Sequence, residues 1–356
     1  MAGISFGIFL MVADPVCGRA AAGAKLDLVP GADPRIQASD FLKRGVTEAG
    51  AVYFDRIADI PGRGFRWSSP GTRFRFRTDG AEVVVHLHYT DRHLGASARN
   101  GAGFFRIDGR GEAAWTFDRP AGSSIPGKVA VNVAVPVPTG GAFHDYELIL
   151  PYSDAVELAG VSVSAGAKWA VPAGRPKVRW VAFGDSVTQG FTASDVLHTY
   201  PFLVGEAKGW QVINTGFGGR GCQASDGEYL AGIEAEIYSI AIGVNNWQVG
   251  TSPETFRSDL AGLLKQLHKG RPTARIFVIS PLWVPPSWSP AKIKYPLTEY
   301  RKVTDEVVSG LGDTNIRVVD GASLIDHDPA LFDKVAVHPN DAGFAQMAAR
   351  LAAIFQ

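Results

Sequence analysis

The stretch VRWVAFGDSVTQG, Val178 to Gly190, runs from an apolar segment straight into a tight turn. Val178 to Phe183 is short and almost continuously apolar, the texture of a parallel strand covered on both faces. Glycines at 184 and 190 let the backbone turn sharply on either side of Ser186. Such a serine sits at the carboxyl end of a strand, where open α/β sheets bind ligands. The helix N-terminus that follows favours developing negative charge. The same residues also fit an ordinary βα turn in which serine caps a helix.

Downstream the pattern repeats. Gln211 to Asn214, Ile237 to Ile242, Arg275 to Ser280 and Ile316 to Val319 read as further buried strands. Between them, Phe256, Leu260, Leu263, Leu264 and Leu267 fall at helical spacing after Pro253, which suits an early helical position. Tyr300, Val303, Val307 and Leu311 form a second stripe; Phe344, Met347, Ala348, Leu351 and Phe355 form a third. Alternating β and α units predict a flavodoxin-like, doubly wound parallel sheet over 177–356. Upstream of the connector Ala170 to Lys177 (AVPAGRPK) the texture changes. Thr72 to Arg77, Glu82 to Tyr89, Phe104 to Ile107, Val129 to Val137, Tyr146 to Leu150 and Leu158 to Val163 are strand-like runs separated by Gly/Asp turns. They predict an all-β sandwich or jelly roll over 25–170. In the first run Phe74 and Phe76 face the core, and Arg73, Arg75 and Arg77 read as a solvated face.

Composition narrows the function. The 356 residues carry 35 Lys plus Arg against 35 Asp plus Glu, with no basic stripe, which argues against nucleic acid or an anionic membrane as partner. Two cysteines, Cys17 and Cys222, exclude a disulfide framework, and no Cys/His cluster has metal-ligand spacing. His86 and His88 share one strand face but lack a third ligand, so no metal is expected. Cys222 reads as a small buried residue. No apolar run approaches the roughly 20 residues that span a bilayer. Ile4 to Ala13 has the length of a signal-peptide core, with Ala22-Gly23-Ala24 as a cleavage-like site, yet no Lys or Arg precedes it. Residues 1–24 therefore read either as an export signal or as a loose N-terminus, and the compartment follows that choice.

Four segments together carry a resemblance. Gly184-Asp185-Ser186-Val187-Thr188-Gln189-Gly190, Asn214-Thr215-Gly216-Phe217-Gly218-Gly219, Gly243-Val244-Asn245-Asn246 and Val337-His338-Pro339-Asn340 follow in order, each after a predicted strand or before the last helix. They resemble the four blocks of the SGNH (GDSL-type) hydrolases over Lys177 to Gln356. With the β-sandwich in front, the chain is similar to two-domain carbohydrate acetylesterases and a few related acyltransferases. The resemblance implies Ser186 as nucleophile and His338 as its base, with an oxyanion hole from the Ser186 N–H, the Gly219 N–H and the Asn245 amide. No cofactor is implied. The chemistry is coherent: an alcohol needs a base within reach, an imidazole of ordinary pKa suits proton shuttling, and each oxyanion donor is worth on the order of 3 kcal/mol.

Two positions depart from the family pattern. Asn246 stands where Asp is usual, and Val335 stands where the acid of the triad should be. Three arrangements can orient His338 instead: Asp333 if the loop bulges, a backbone carbonyl in a Ser–His dyad, or Asp326 or Asp328. Gly216 to Gly221 also reads as G-x-G-x-x-G, but it follows the second strand of its domain and lacks the acidic partner of a dinucleotide site. For substrate contact the candidates are Asp185, Trp247, and Trp283 and Trp288 in the loop Pro281 to Pro296; for the tryptophans the competing reading is simple packing. The expected reaction is hydrolysis of a small acyl ester, acetyl on a carbohydrate in the first place, through an acyl-serine. Transfer to another alcohol and a decayed carbohydrate-binding protein are the alternatives.

Overall fold

Alternation along the strands sets the first layer pair. The computed structural model describes residues 25–355 apart from 56–67, 69, 93–101, 116–127, 173, 175, 289–291 and 334–336. The proposed signal region, 1–24, and Val335 lie outside them. The strands of the N-terminal domain among the described residues are β1 (Leu26–Pro30), β2 (Gln37–Ser39), β3 (Lys43–Val46), β4 (Val52–Asp55), β5 (Arg73–Thr78), β6 (Val83–Arg92), β7 (Gly103–Ile107), β8 (Arg110–Trp115), β9 (Val129–Val135), β10 (His144–Ile149), β11 (Asp154–Ser164) and β12 (Trp169–Ala170). They form two antiparallel sheets. One runs β3-β4-β11-β6-β9 with β1 on β11; the other runs β12-β5-β10-β7-β8 with β2 on β5. On β6, Val83, Val85, Leu87 and Tyr89 are buried while Val84, His86 and His88 are half-buried on the other face. With Phe74, Phe76, Leu148 and Val161 they fill the space between the sheets. Each such fully buried side chain contributes roughly 1.5–3 kcal/mol.

The second domain is a five-stranded parallel sheet in the order β14-β13-β15-β16-β17. Its strands are β13 (Arg179–Gly184), β14 (Gln211–Asn214), β15 (Ile237–Ala241), β16 (Arg275–Ile279) and β17 (Ile316–Val319). That order is the flavodoxin-like one, with the topological switch point beside β13. Helices α1 (Ser186–Gln189), α2 (Tyr200–Lys208), α3 (Asp226–Ala231), α4 (Val244–Gln248), α5 (Pro253–Gly270), α6 (Leu297–Leu311) and α7 (Asp341–Ile354) connect and cover it. Both faces of β13 are buried. Trp180 and Ala182 join the core under α2 and α7, and Val181 and Phe183 join the core under α5 and α6. The near-continuous apolar run at 178–183 has this cause. Ser252 caps α5, accepting from the Thr255 N–H at 3.1 Å, and Pro253 opens the helix. Among the described residues no helix is long and apolar enough to cross a membrane.

The two domains pack together, and here the arginine face departs from its sequence reading. Arg73 is not solvated: only 13% of its side chain is exposed. Its guanidinium lies 2.7 Å from Glu206 on α2 and 3.3 Å from Glu147, and Arg106 reaches Glu206 at 2.6 Å. Both guanidinium groups lie over the Phe202 ring, at 5.0 and 5.5 Å. Asp40 accepts the Val212 N–H of edge strand β14 at 2.7 Å, closing an edge that would otherwise be open to pairing. Ala102, Phe104, Ile149 and Tyr152 extend the core of the second domain into the first. The face is polar because it meets α2, a contact that strand periodicity does not encode. His86 is likewise engaged within its sheet, with Asn132 at 2.8 Å and Ser162 at 2.7 Å. No group of three potential metal ligands occurs among the described residues.

Candidate active site

Everything of chemical interest gathers at the carboxyl ends of β13, β14 and β15. Asp185 caps α1, its carboxylate accepting the Val187 N–H at 2.9 Å, so Ser186 occupies the first helical position. Ser186 Oγ lies 2.8 Å from His338 Nε2. The histidine comes from the loop before α7. That loop is held by an antiparallel bridge between Phe332 and Pro339 and by the Asp333 N–H donating to the His338 carbonyl at 2.8 Å. Thr192 Oγ1 donates to the Pro339 carbonyl at 2.8 Å, and Asp341 accepts the Ser194 N–H at 2.8 Å. The Phe191 ring packs on the imidazole with centroids 4.5 Å apart. Thr192 makes its contact at φ 76°, a conformation a β-branched residue adopts only when its surroundings compel it.

Burial pushes the His338 pKa down to about 4, against an upward pull from Asp333. A neutral imidazole is the form that accepts a proton, so the base is ready across the neutral range. The acid limb of kcat/KM is therefore expected near pH 4, measured on a buffer series with a soluble ester. A limb at the ordinary histidine value of about 6.5 would contradict this environment.

The oxyanion side is built by stitching loops. Phe217 to Arg220 closes a turn, Arg220 N–H to Phe217 carbonyl at 3.1 Å, with Gly219 at φ 80° where a side chain would be strained. Neither the Ser186 nor the Gly219 N–H is taken by another described residue. Asn245, on α4, donates one amide hydrogen to the Arg220 carbonyl at 3.0 Å, which leaves its second for a ligand. Asn246 accepts the Cys222 N–H at 2.8 Å. An acceptor oxygen is all that contact needs, so Asn serves where Asp is usual. Arg220 itself lies over the Phe183 ring at 4.5 Å and pairs with Asp226 at 2.5 Å.

Two buried amides tie this loop to the nucleophile helix, and neither was singled out by its residue type. Gln189 accepts the Gly218 N–H at 2.9 Å. Asn214 donates to the Thr188 carbonyl at 2.8 Å and accepts the Gly216 N–H at 2.9 Å. At Gly216 a Cβ would stand 2.3 Å from the Gln189 nitrogen, so only glycine permits this approach. Replacing Gln189 by Met removes the acceptor beside Gly219. We expect kcat to fall on the order of tenfold with KM within about twofold, as for an interaction made mainly in the transition state. Steady-state kinetics check it.

The remaining candidates are placed as follows. Asp333 acts on His338 through its charge, but among the described residues nothing accepts from the buried His338 Nδ1. Asp326 instead pairs with Arg350 at 2.6 Å, and Asp328 caps a short turn through the Ala330 N–H at 2.9 Å; both are engaged away from the imidazole. Asp185 is buried, and burial pushes its pKa up to about 7. Trp247 is buried too, its indole N–H donating to the Tyr295 carbonyl at 2.9 Å and its ring against Trp288 at 5.4 Å. Trp283 stacks on His327 at 4.9 Å and meets Phe332 at 5.4 Å. The tryptophans thus brace the loop after β16 and the histidine loop.

This arrangement coincides with a sequence match: residues 182–346 fit the model of the GDSL-like Lipase/Acylhydrolase family. The chain carries a GDSL-like acylhydrolase domain. No curated protein matches the chain at a significant level. Among solved structures, the salicylyl-acyltransferase from a tetracycline biosynthetic pathway is 21% identical, with TM-score 0.75, over 93% of this chain and 98% of the other. A family two carbohydrate esterase from Cellvibrio japonicus is 15% identical, TM-score 0.68, over 94% and 98%. An acetyl xylan esterase from Butyrivibrio proteoclasticus is 11% identical, TM-score 0.61, over 93% and 97%. At such identities these likenesses speak to fold alone. They extend across both domains, so the sandwich in front of the acylhydrolase domain is part of the shared architecture.

Proposed function

We propose that the protein is a serine esterase that removes a small acyl group, acetyl in the first place, from a carbohydrate ester. The observation that carries this is the 2.8 Å contact between Ser186 Oγ and His338 Nε2 at the strand end. Ser186 Oγ attacks the ester carbonyl carbon while its proton passes to Nε2. The negative oxygen that forms is met by the Ser186 and Gly219 N–H groups and the Asn245 amide. Collapse breaks the bond to the alkoxy oxygen, which takes the proton from Nε2 and leaves as the alcohol. Water then repeats the sequence on the acyl-serine and releases the acid.

Transfer of the acyl group to a second alcohol uses the same intermediate, and the likeness to an acyltransferase favours keeping it as the second reading. The test is product analysis on acetylated xylan and acetylated cello-oligosaccharides. Free acetate formed in proportion to ester lost, and not formed by Ser186→Ala, is expected. Acetyl appearing on an added acceptor alcohol in preference to water would move the assignment to transfer. Equal acetate release by Ser186→Ala would overturn both readings, and no acetate release by wild type would leave a carbohydrate-binding protein as the reading to pursue.

A further inference from the structure

One side chain of the sandwich reaches toward the reacting pair. Tyr152, in the connection between β10 and β11, is fully buried and joins the core of the second domain with Ala193, Val196 and Tyr200. Its hydroxyl donates to the Ala193 carbonyl at 2.9 Å. Its ring lies against Gly190, the residue that ends α1: a Cβ there would stand 3.5 Å from Tyr152 Cγ. Burial, with Asp195, Asp341 and Asp154 around it, pushes the phenol pKa up, so the hydroxyl stays a donor at neutral pH.

The segment it holds, Gly190 to Ser194, runs from the nucleophile to the base. It starts on Ser186, whose carbonyl accepts the Gly190 and Phe191 N–H groups at 3.1 and 2.9 Å. The Ala193 N–H then closes a turn onto the Gly190 carbonyl at 3.1 Å. Thr192, at φ 76°, is the third residue of that turn, a position where a positive φ usually falls to Gly or Asn. This conformation sends its hydroxyl to the Pro339 carbonyl, while the Phe191 ring meets the imidazole and the Ser194 N–H reaches Asp341. All three grips fall on residues 338–341. A threonine held this way needs its surroundings to compel it, and the Tyr152 bond to the next carbonyl does so from outside the turn.

We infer that Tyr152 is a positioning residue for the reaction: through Ala193 the sandwich domain fixes the turn that sets His338 against Ser186. The inference rests on the assignment of those two residues as base and nucleophile. It adds a contribution from the other domain, which none of the four sequence blocks supplies. Removing the hydroxyl leaves a buried carbonyl without this donor and lets the turn relax. Phe191 then covers the imidazole less closely, and water reaches it. Burial holds the His338 pKa down to about 4, and the upward pull of Asp333 is untouched, so a wetter imidazole titrates higher.

The experiment measures kcat, KM and the acid limb of kcat/KM for p-nitrophenyl acetate in wild type, Tyr152→Phe, Thr192→Val and Tyr238→Phe. Tyr238 on β15 is the control, because it too is buried and donates to a backbone carbonyl, that of Ile233 ahead of the strand. Tyr152→Phe and Thr192→Val are each expected to lower kcat by about tenfold, well within the cost of a small misplacement of a reacting group. KM should stay within about twofold, and the acid limb should move up from near pH 4 toward about 6.5. The double variant is expected to be about as slow as the slower single, because both bonds serve one turn. Tyr238→Phe is expected to keep the wild-type kcat and limb, whatever it loses in melting temperature. Thr192→Val breaks the same path one bond nearer the base, and decides the matter if Tyr152→Phe does not fold.

A wild-type kcat and limb in either folded variant would overturn the inference. So would a fall in kcat with the limb unmoved, an equal fall in Tyr238→Phe, or effects that multiply in the double variant. In each of these cases, wild-type turnover that vanishes in Ser186→Ala leaves the esterase reading standing. Turnover unchanged in Ser186→Ala would sink that reading and the inference with it.

Discussion

Ser186→Ala is expected to lower kcat for p-nitrophenyl acetate by a factor on the order of 10⁴ or more, and His338→Ala by a similar factor. The magnitude follows from what the pair does together. The hydroxyl is a weak nucleophile alone, and a 2.8 Å contact to a half-buried, neutral imidazole supplies its base. Either loss disables the same step, so the double variant is expected to be no slower than the slower single one. Both side chains are small or half-buried, and neither holds the sheet together. Melting temperatures should therefore stay within a few degrees of wild type, which separates lost chemistry from lost fold. A double variant much slower than both singles would mean that the two residues act independently.

Asn245→Ala is expected to lower kcat by about 10²–10³, the usual cost of removing one oxyanion donor, with a smaller change in KM. This residue has two tasks. One amide hydrogen holds the Arg220 carbonyl, and hence the turn that presents Gly219, at 3.0 Å; the other is left for the oxyanion. Asn245→Asp replaces both hydrogens by acceptors and sets a carboxylate beside the developing oxyanion and a backbone carbonyl. It should be at least as damaging as alanine. Rates within about threefold of wild type for either variant would remove Asn245 from the oxyanion hole.

The parallel domain was largely legible because its local and global rules agree. A strand buried on both faces must be continuously apolar, and the loops at its carboxyl end must carry the polar work. Val178 to Phe183 followed by Gly184-Asp185-Ser186 states both at once, and the helical stripes of α5, α6 and α7 were equally plain, except that Leu311, at the last position of α6, is exposed. The sandwich was legible where strands alternate strongly, as on β6. It was not where strands are short and polar at an edge, as in Lys43–Val46 and Arg110–Trp115.

What escaped depends on contacts distant in the chain. Arg73 looks like a solvated residue until Glu206 and Phe202 of the other domain are set against it. Trp247 looks like a substrate platform until its indole finds the Tyr295 carbonyl. Gln189 occupies a position where the motif demands no particular residue, and Thr192 has a backbone conformation that no sequence signal announces. The orientation of His338 belongs here as well. Asp326 and Asp328 stood as alternatives for that task, yet a salt bridge and a capping turn occupy them.

The most direct measurement is intact-protein mass spectrometry after treatment with a small alkyl fluorophosphonate, followed by peptide mapping. One phosphonyl group is expected per chain, on Ser186, absent in Ser186→Ala and slowed by at least a hundredfold in His338→Ala. An adduct formed equally well in Ser186→Ala, or full ester turnover in protein that stays unlabelled at Ser186, would contradict the assignment of that hydroxyl as the nucleophile.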